Sequence, residues 1–146
     1  MTTTTVLADD LGFPEAPRWH DGQLRFSDFH DRVVRRLAPD GELSVALEQD
    51  DSPSGLGWLP GGDLLVVSMV QRVVDGRPRL HADLSGVTRF RANDLVVDAA
   101  GRAWVSSFGS DLEAGAEPEP TVLVRVDPDG SVSGAAEGVV FPTGWC

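Results

Sequence analysis

One pattern comes round three times in this chain. Trp19-His20-Asp21-Gly22-Gln23-Leu24-Arg25-Phe26-Ser27 is echoed by Trp58-Leu59-Pro60-Gly61-Gly62-Asp63-Leu64-Leu65-Val66, and again by Val97-Asp98-Ala99-Ala100-Gly101-Arg102-Ala103-Trp104-Val105. The turn glycines Gly22, Gly62 and Gly101 lie 40 and 39 residues apart. A period of about 40 residues is that of one four-stranded propeller blade, a unit that buries its apolar faces only by stacking on neighbours. The repeat therefore predicts an all-β fold of propeller type.

Strand signals fill the space between the turns. Gln23 to Ser27, Leu64 to Val67, Leu95 to Val97, Trp104 to Ser106 and Val122 to Val126 are apolar or alternating runs, and no stretch of ten or more residues carries a helical period. Second turns follow at Pro39-Asp40-Gly41, Asp75-Gly76 and Pro128-Asp129-Gly130, where Asp and Gly both tolerate the positive φ of tight hairpins. The blades are expected at about 13–51, 52–91 and 92–140, with 141–146 beginning a fourth, so that residues 1–146 form one partial β-propeller domain. The third unit is longer because Gly109 to Pro120 inserts an acidic loop bearing Gly and Pro. Trp19, Trp58 and Trp104 fall at repeat positions and are expected to pack between blades. Thr3 to Leu7 has strand character.

Charge and cysteine content narrow the function. With 12 basic and 23 acidic residues the formal charge is −11, which repels nucleic acid and anionic membrane surfaces. A single cysteine, no run of membrane-spanning length and no signal-like opening are what a cytoplasmic protein is expected to show. There is no lysine, and all 12 basic residues are arginine, as a G+C-rich coding sequence favours.

In a propeller the innermost strands converge on the axis, so the segments leading into each blade meet there. These read Phe13-Pro14-Glu15-Ala16-Pro17, Ser52-Pro53-Ser54-Gly55-Leu56, Arg91-Ala92-Asn93-Asp94-Leu95 and Phe141-Pro142-Thr143-Gly144. Glu15, Ser54 and Asn93 are equivalent, 39 residues apart each time, and Thr143 falls next. Oxygen-bearing side chains at all four positions suit a hard cation such as Ca²⁺. Each is equally the kind of turn residue that hydrogen-bonds to local backbone. Asp94 is expected to point away from Asn93, because neighbours on an extended segment alternate. His20, His30 and His81 show no metal-ligand spacing and are expected on surface turns or strand edges. Ser68, Ser106 and Ser107 lack a nucleophile elbow or a partnered His.

Phe13-Pro14-Glu15-Ala16-Pro17-Arg18-Trp19, Phe26-Ser27-Asp28, Pro53-Ser54-Gly55-Leu56-Gly57-Trp58 and Asn93 to Arg102, taken in this order, resemble the senescence marker protein, gluconolactonase and luciferin-regenerating enzyme family. The resemblance implies a six-bladed propeller, of which this chain would form about three blades. It also implies a lactone hydrolase that binds a divalent cation, Ca²⁺ or another such as Zn²⁺, Mn²⁺ or Mg²⁺, and takes a small-molecule lactone. By the same resemblance Glu15 is a metal ligand, Asn93 belongs to the polar funnel that meets substrate, and Arg91 holds substrate oxygens. A solvated loop arginine is the other reading of Arg91. Thr143 stands where the family has a ligand Asn, and the family's later-blade Asp, its usual base, has no counterpart here.

Where the family reads Phe-Pro-Asn-Gly-Met-Val, this chain reads Phe141-Pro142-Thr143-Gly144-Trp145-Cys146. Deleting one base from the Asn codon of a G+C-rich coding sequence converts the one into the other. Thr143, Trp145 and Cys146 are therefore expected to be frameshift products on the N-terminal half of a longer propeller. Such an arc would either pair as a homodimer completing a six-bladed ring, expose its apolar ends, or serve as a non-catalytic scaffold.

Overall fold

Asp21 and Gly22 both take positive φ, 48° and 72°, as do Asp75 and Gly76, 52° and 72°. Two consecutive left-handed residues make the turn whose twist suits antiparallel strands, so each pair closes a hairpin. In the computed structural model, which describes residues 3–68, 70–112 and 114–143, hairpins of this kind chain into three four-stranded antiparallel sheets. The first holds β1 (Pro14–His20), β2 (Gln23–Asp28), β3 (Val33–Leu37) and β4 (Leu43–Glu48). The second holds β5 (Leu56–Trp58), β6 (Leu64–Val67), β7 (Val70–Val74) and β8 (Arg77–Ala82). The third holds β9 (Ala92–Val97), β10 (Ala103–Ser107), β11 (Pro120–Val126) and β12 (Val132–Val140). Strand order follows chain order in every sheet, the meander of a propeller blade. No described helix is long and apolar enough to cross a membrane.

Period-two alternation puts both faces of the middle blade to use. Along β6, Leu65 and Val67 enter a core shared with Leu95, Val105, Val124 and Val126 of the third blade, while Val66 enters a core with Val34 and Leu47 of the first. That is why β6 reads as an unbroken apolar run: both of its faces are covered. The β2 strand alternates instead. Leu24 and Phe26 line a cavity of about 330 Å³ with Val6 and Leu7, while Ser27 Oγ donates to the Ser54 carbonyl of the second blade.

Turn carboxylates fasten the hairpins. Asp98 accepts from the backbone N–H of Ala100 and Arg102, from Arg102 Nε and from Trp104 Nε1, at 2.7–3.1 Å. Desolvation opposes ionisation there, but these donors prevail and hold the Asp98 carboxyl down to about 2.

Three expectations need correction. Trp19 is 70% exposed and packs between no blades. Trp104 caps the Asp98 turn, which leaves Trp58 as the inter-blade tryptophan, stacked on His20 with ring centroids 3.9 Å apart. Residues 3–9 form no strand despite their β-branched composition; Val6, Leu7 and Ala8 instead line the cavity beside Leu24 and Phe26. Of the three residues expected to be frameshift products, Thr143 is described, and Trp145 and Cys146 lie outside the described residues.

The blades approach one another closely at their inner strands. A Cβ on Gly57 would stand 2.4 Å from Leu95 Cδ1 and 2.9 Å from Val97 Cγ2, and one on Gly55 would stand 2.6 Å from Asp94 Cα. Leu95 is fully buried, so nothing there yields to an added methyl. Gly57→Ala is expected to lower stability by about 1–3 kcal/mol, read from the urea midpoint. Gly61→Ala, which meets nothing within 4 Å, should change it by no more than about 0.5 kcal/mol.

Candidate functional site

Two of the inner strands are bulged near their starts, and the bulges aim the side chains. In β1, Glu15 pairs with Ser27 but Arg18 pairs with Arg25, so β1 carries one residue more than β2 over that interval. Ala16 takes up the irregularity with a φ of 48°. In β9, Ala92 pairs with Ser107 and Leu95 with Val105, an extra residue one position earlier in the repeat. A bulge bends its strand and re-aims the side chains beside it. Here those are Glu15 and Asn93.

Glu15, Ser54, Arg91, Asn93 and Thr143 line one cavity of about 370 Å³, together with Phe13, Phe29, His30, Ala92, Phe108 and Phe141. All four leading segments thus contribute to it. The Ser54 hydroxyl donates to the Asn93 carbonyl and also lies within hydrogen-bonding reach of the Glu15 carboxylate. It has one hydrogen for two acceptors. Burial raises the Glu15 carboxyl above its ordinary value, the Ser54 hydrogen bond lowers it, Asp94 raises it further, and Arg91 works the other way. Asn93 Nδ2 donates to the Pro142 carbonyl at 3.3 Å. Arg91 Nη2 reaches Asp51 Oδ1 at 3.2 Å and the Ser52 carbonyl at 3.3 Å, and its guanidinium lies 5.1 Å from the Phe29 ring centre.

Asp94 turns away from Asn93, into the protein. Its Oδ1 accepts from Arg18 Nη2 at 2.8 Å and from its neighbour's N–H, that of Leu95, at 2.8 Å, while Arg18 also donates to the Leu95 carbonyl at 3.1 Å. The ion pair joins the first blade to the third, with side chains 21% and 11% exposed. Ser106 Oγ, far from acting as a nucleophile, bonds to both the N–H and the carbonyl of Asp94.

Fully buried Asp28 anchors the leading loop of the first blade. It accepts from Phe13 N at 2.7 Å, Gly12 N at 3.2 Å and Arg35 Nε at 2.8 Å. Burial alone would raise its carboxyl; the Phe13 N–H, Arg35 and the Gly12 N–H outweigh that and leave it below the ordinary carboxylate range.

Reading the leading segments in register reaches Phe13 and Phe141 but does not find Phe29 and Phe108, the other two aromatic residues of the cavity. Their signal lies at the other end of the hairpin: Phe29, Ser68 and Phe108 each follow the second strand of their blade, 39 and 40 residues apart. His30, expected on a surface turn, is exposed but borders the cavity, packed against Phe13 and Phe29.

Among the described residues no three His, Cys, Asp or Glu gather as a metal cluster. The oxygen donors are right in kind for a hard cation and few in number: one carboxylate, an amide and two hydroxyls. A half-buried carboxylate with more acceptor capacity than donors facing it fits a cation ligand.

The family model for the SMP-30/gluconolactonase/LRE-like region matches residues 13–146. The chain belongs to this family. It is 31% identical over 150 residues to the pentonolactonase XacC of Haloferax volcanii, covering 99% of this chain and 49% of that protein. A gluconolactonase from Xanthomonas campestris superposes with a TM-score of 0.76 at 25% identity, over 90% of this chain and 49% of that one. Regucalcin from Agrobacterium tumefaciens strain C58, a calcium-binding protein, superposes with a TM-score of 0.72 at 19% identity, over 92% and 46%. This member of the SMP-30/gluconolactonase family thus spans about half the length of the relatives it matches.

The Asp28 anchor makes a pH prediction. With its folded value below the unfolded value of about 3.9, the carboxylate's contribution is complete above about pH 4 and is lost as pH falls through the folded value. Asp28→Asn is expected to lower stability at pH 7 by about 2–3 kcal/mol, the cost of losing charge-assisted hydrogen bonds. In thermal melts across pH 2–7, about the range Asp titration covers, the variant should show a shallower acid decline than the parent. Parallel declines would assign the anchor elsewhere.

Proposed function

We propose that the cavity belongs to a divalent-cation-dependent hydrolase acting on a small lactone. One observation carries the reading: Glu15, Ser54 and Asn93, equivalent positions of three blades, line the same cavity as Arg91 and Thr143. Membership of the SMP-30/gluconolactonase family supports it, as does similarity to a pentonolactonase. The volume of about 370 Å³ falls in the range of roughly 300–1,000 Å³ found for small-ligand sites.

In this reading Glu15 and Asn93 hold the cation, and Thr143 stands at a third ligand position. A divalent cation held there, of the hard kind that an oxygen-only donor set suits, such as Ca²⁺, would polarise a lactone carbonyl and lower the pKa of a water. Ser54 fixes Glu15 relative to the Asn93 backbone. Arg91, oriented by Asp51, the Ser52 carbonyl and the Phe29 ring, presents a planar donor to lactone oxygens. A second reading, a binding scaffold without catalysis, is favoured by one fact: among the described residues Glu15 is the sole carboxylate on the cavity, and Asp94 is committed to Arg18.

Proton release from a panel of sugar and aryl lactones separates the two. Hydrolysis is expected with Ca²⁺, to be abolished by chelator, and to fall at least ~10-fold in Glu15→Gln, the size of effect that loss of ligand-shell groups produces. Arg91→Gln should raise KM. No hydrolysis of any lactone with Ca²⁺, Mg²⁺, Mn²⁺ or Zn²⁺ would leave the scaffold reading standing.

A further inference from the structure

The chain has six phenylalanines and no tyrosine. Four of the six, Phe13, Phe29, Phe108 and Phe141, line the cavity that holds Glu15 and Asn93. They form two walls from opposite ends of the chain. Phe13 meets Phe29 edge to face at 6.2 Å and 71°, joined by a hydrogen bond from Phe29 N to the Phe13 carbonyl. Phe108 stacks on Phe141 at 5.4 Å and 24°. Phe13 and Phe141 line the cavity and are not fully buried. Exposed apolar surface gathered at a concave site marks a ligand surface.

Three of the six polar side chains lining the cavity, Ser54, Asn93 and Arg91, already bond to the protein. Ser54 donates to the Asn93 carbonyl, Asn93 Nδ2 to the Pro142 carbonyl, and Arg91 to Asp51 and the Ser52 carbonyl. A polyhydroxylated ring placed here would set several hydroxyls against phenyl carbons, each giving up hydrogen bonds to water without replacement. A flat apolar ring loses nothing by the same move and gains stacking on the aromatic faces.

We propose that the cavity prefers a ligand carrying a flat apolar group, so that, if the hydrolase reading above holds, its substrates are aryl-substituted or aryl-fused lactones in preference to sugar lactones. The ring lies against Phe29 and Phe141, and the ester oxygens point to the N–H groups of Arg91 and Asn93.

The test uses dihydrocoumarin and glucono-1,5-lactone as substrates. The binding probe is 2-tetralone, the carbocyclic isostere of dihydrocoumarin with no ester to cleave. The full chain is expected to bind 2-tetralone in a calorimetric titration and to hydrolyse dihydrocoumarin with a kcat/KM at least tenfold above that for the sugar lactone. Phe141→Ser should weaken 2-tetralone binding at least fivefold, and Phe141→Trp should retain it, with both variants checked for parental thermal stability. Binding of 2-tetralone without hydrolysis of either lactone, or of any in the panel above with Ca²⁺, Mg²⁺, Mn²⁺ or Zn²⁺, supports the ligand preference and removes the hydrolase reading. Hydrolysis of glucono-1,5-lactone without 2-tetralone binding overturns the preference and leaves the hydrolase reading intact. Equal binding by parent and Phe141→Ser also overturns the preference.

Discussion

Everything at the cavity depends on how closely the inner strands of the blades approach one another. Gly55 and Gly57 have no side chains where β5 meets Asp94, Leu95 and Val97, so backbone packs directly against the neighbouring strand. Across the same region Arg18 of the first blade reaches Asp94 and the Leu95 carbonyl of the third. This pair differs in kind from Arg125–Asp127, whose side chains are 39% and 28% exposed and which contributes about 1 kcal/mol or less. Arg18 and Asp94 are shielded enough that removing either would leave a charge stranded, so the brace holds the first and third blades in one arrangement.

The bulges turn that arrangement into a site. A strictly regular strand would carry Glu15 and Asn93 on faces set by alternation alone; one extra residue in β1 and in β9 breaks the alternation just where the strands reach the cavity. A left-handed residue with a Cβ, such as Ala16, costs about 1–2 kcal/mol. Surrounding bonds offset that cost: Asp28 grips the loop before Glu15, and Ser27 ties β2 to the second blade at Ser54. The strain sits beside the residues that line the cavity, where backbone irregularity is commonly concentrated.

Much of the fold was legible because its determinants are local. Asp-Gly turns, alternating strands and the period of about 40 residues act within a hairpin or a blade, and three meander sheets follow from them. Thr3 to Leu7 shows the limit: β-branched residues favour an extended chain, but a strand exists only where another strand edge accepts its hydrogen bonds. Trp19 and Trp104 show it again, since a repeat position fixes where a side chain starts and not what surrounds it. Half of each aromatic wall was written in a second register, Phe29, Ser68 and Phe108, that reading the leading segments alone passes over.

By itself the sequence determined the blade as a unit, the family, and the register that makes Glu15, Ser54 and Asn93 equivalent. Only the tertiary structure decided that these three share a cavity with Phe29 and Phe141, that Asp94 faces inward to Arg18, and that Ser106 binds backbone. The reason is physical. Turn and strand preferences are set by neighbours a few residues away, whereas Arg18 and Asp94 are 76 residues apart. Contacts of that kind depend on bulges and on missing side chains that leave no periodic trace in the chain.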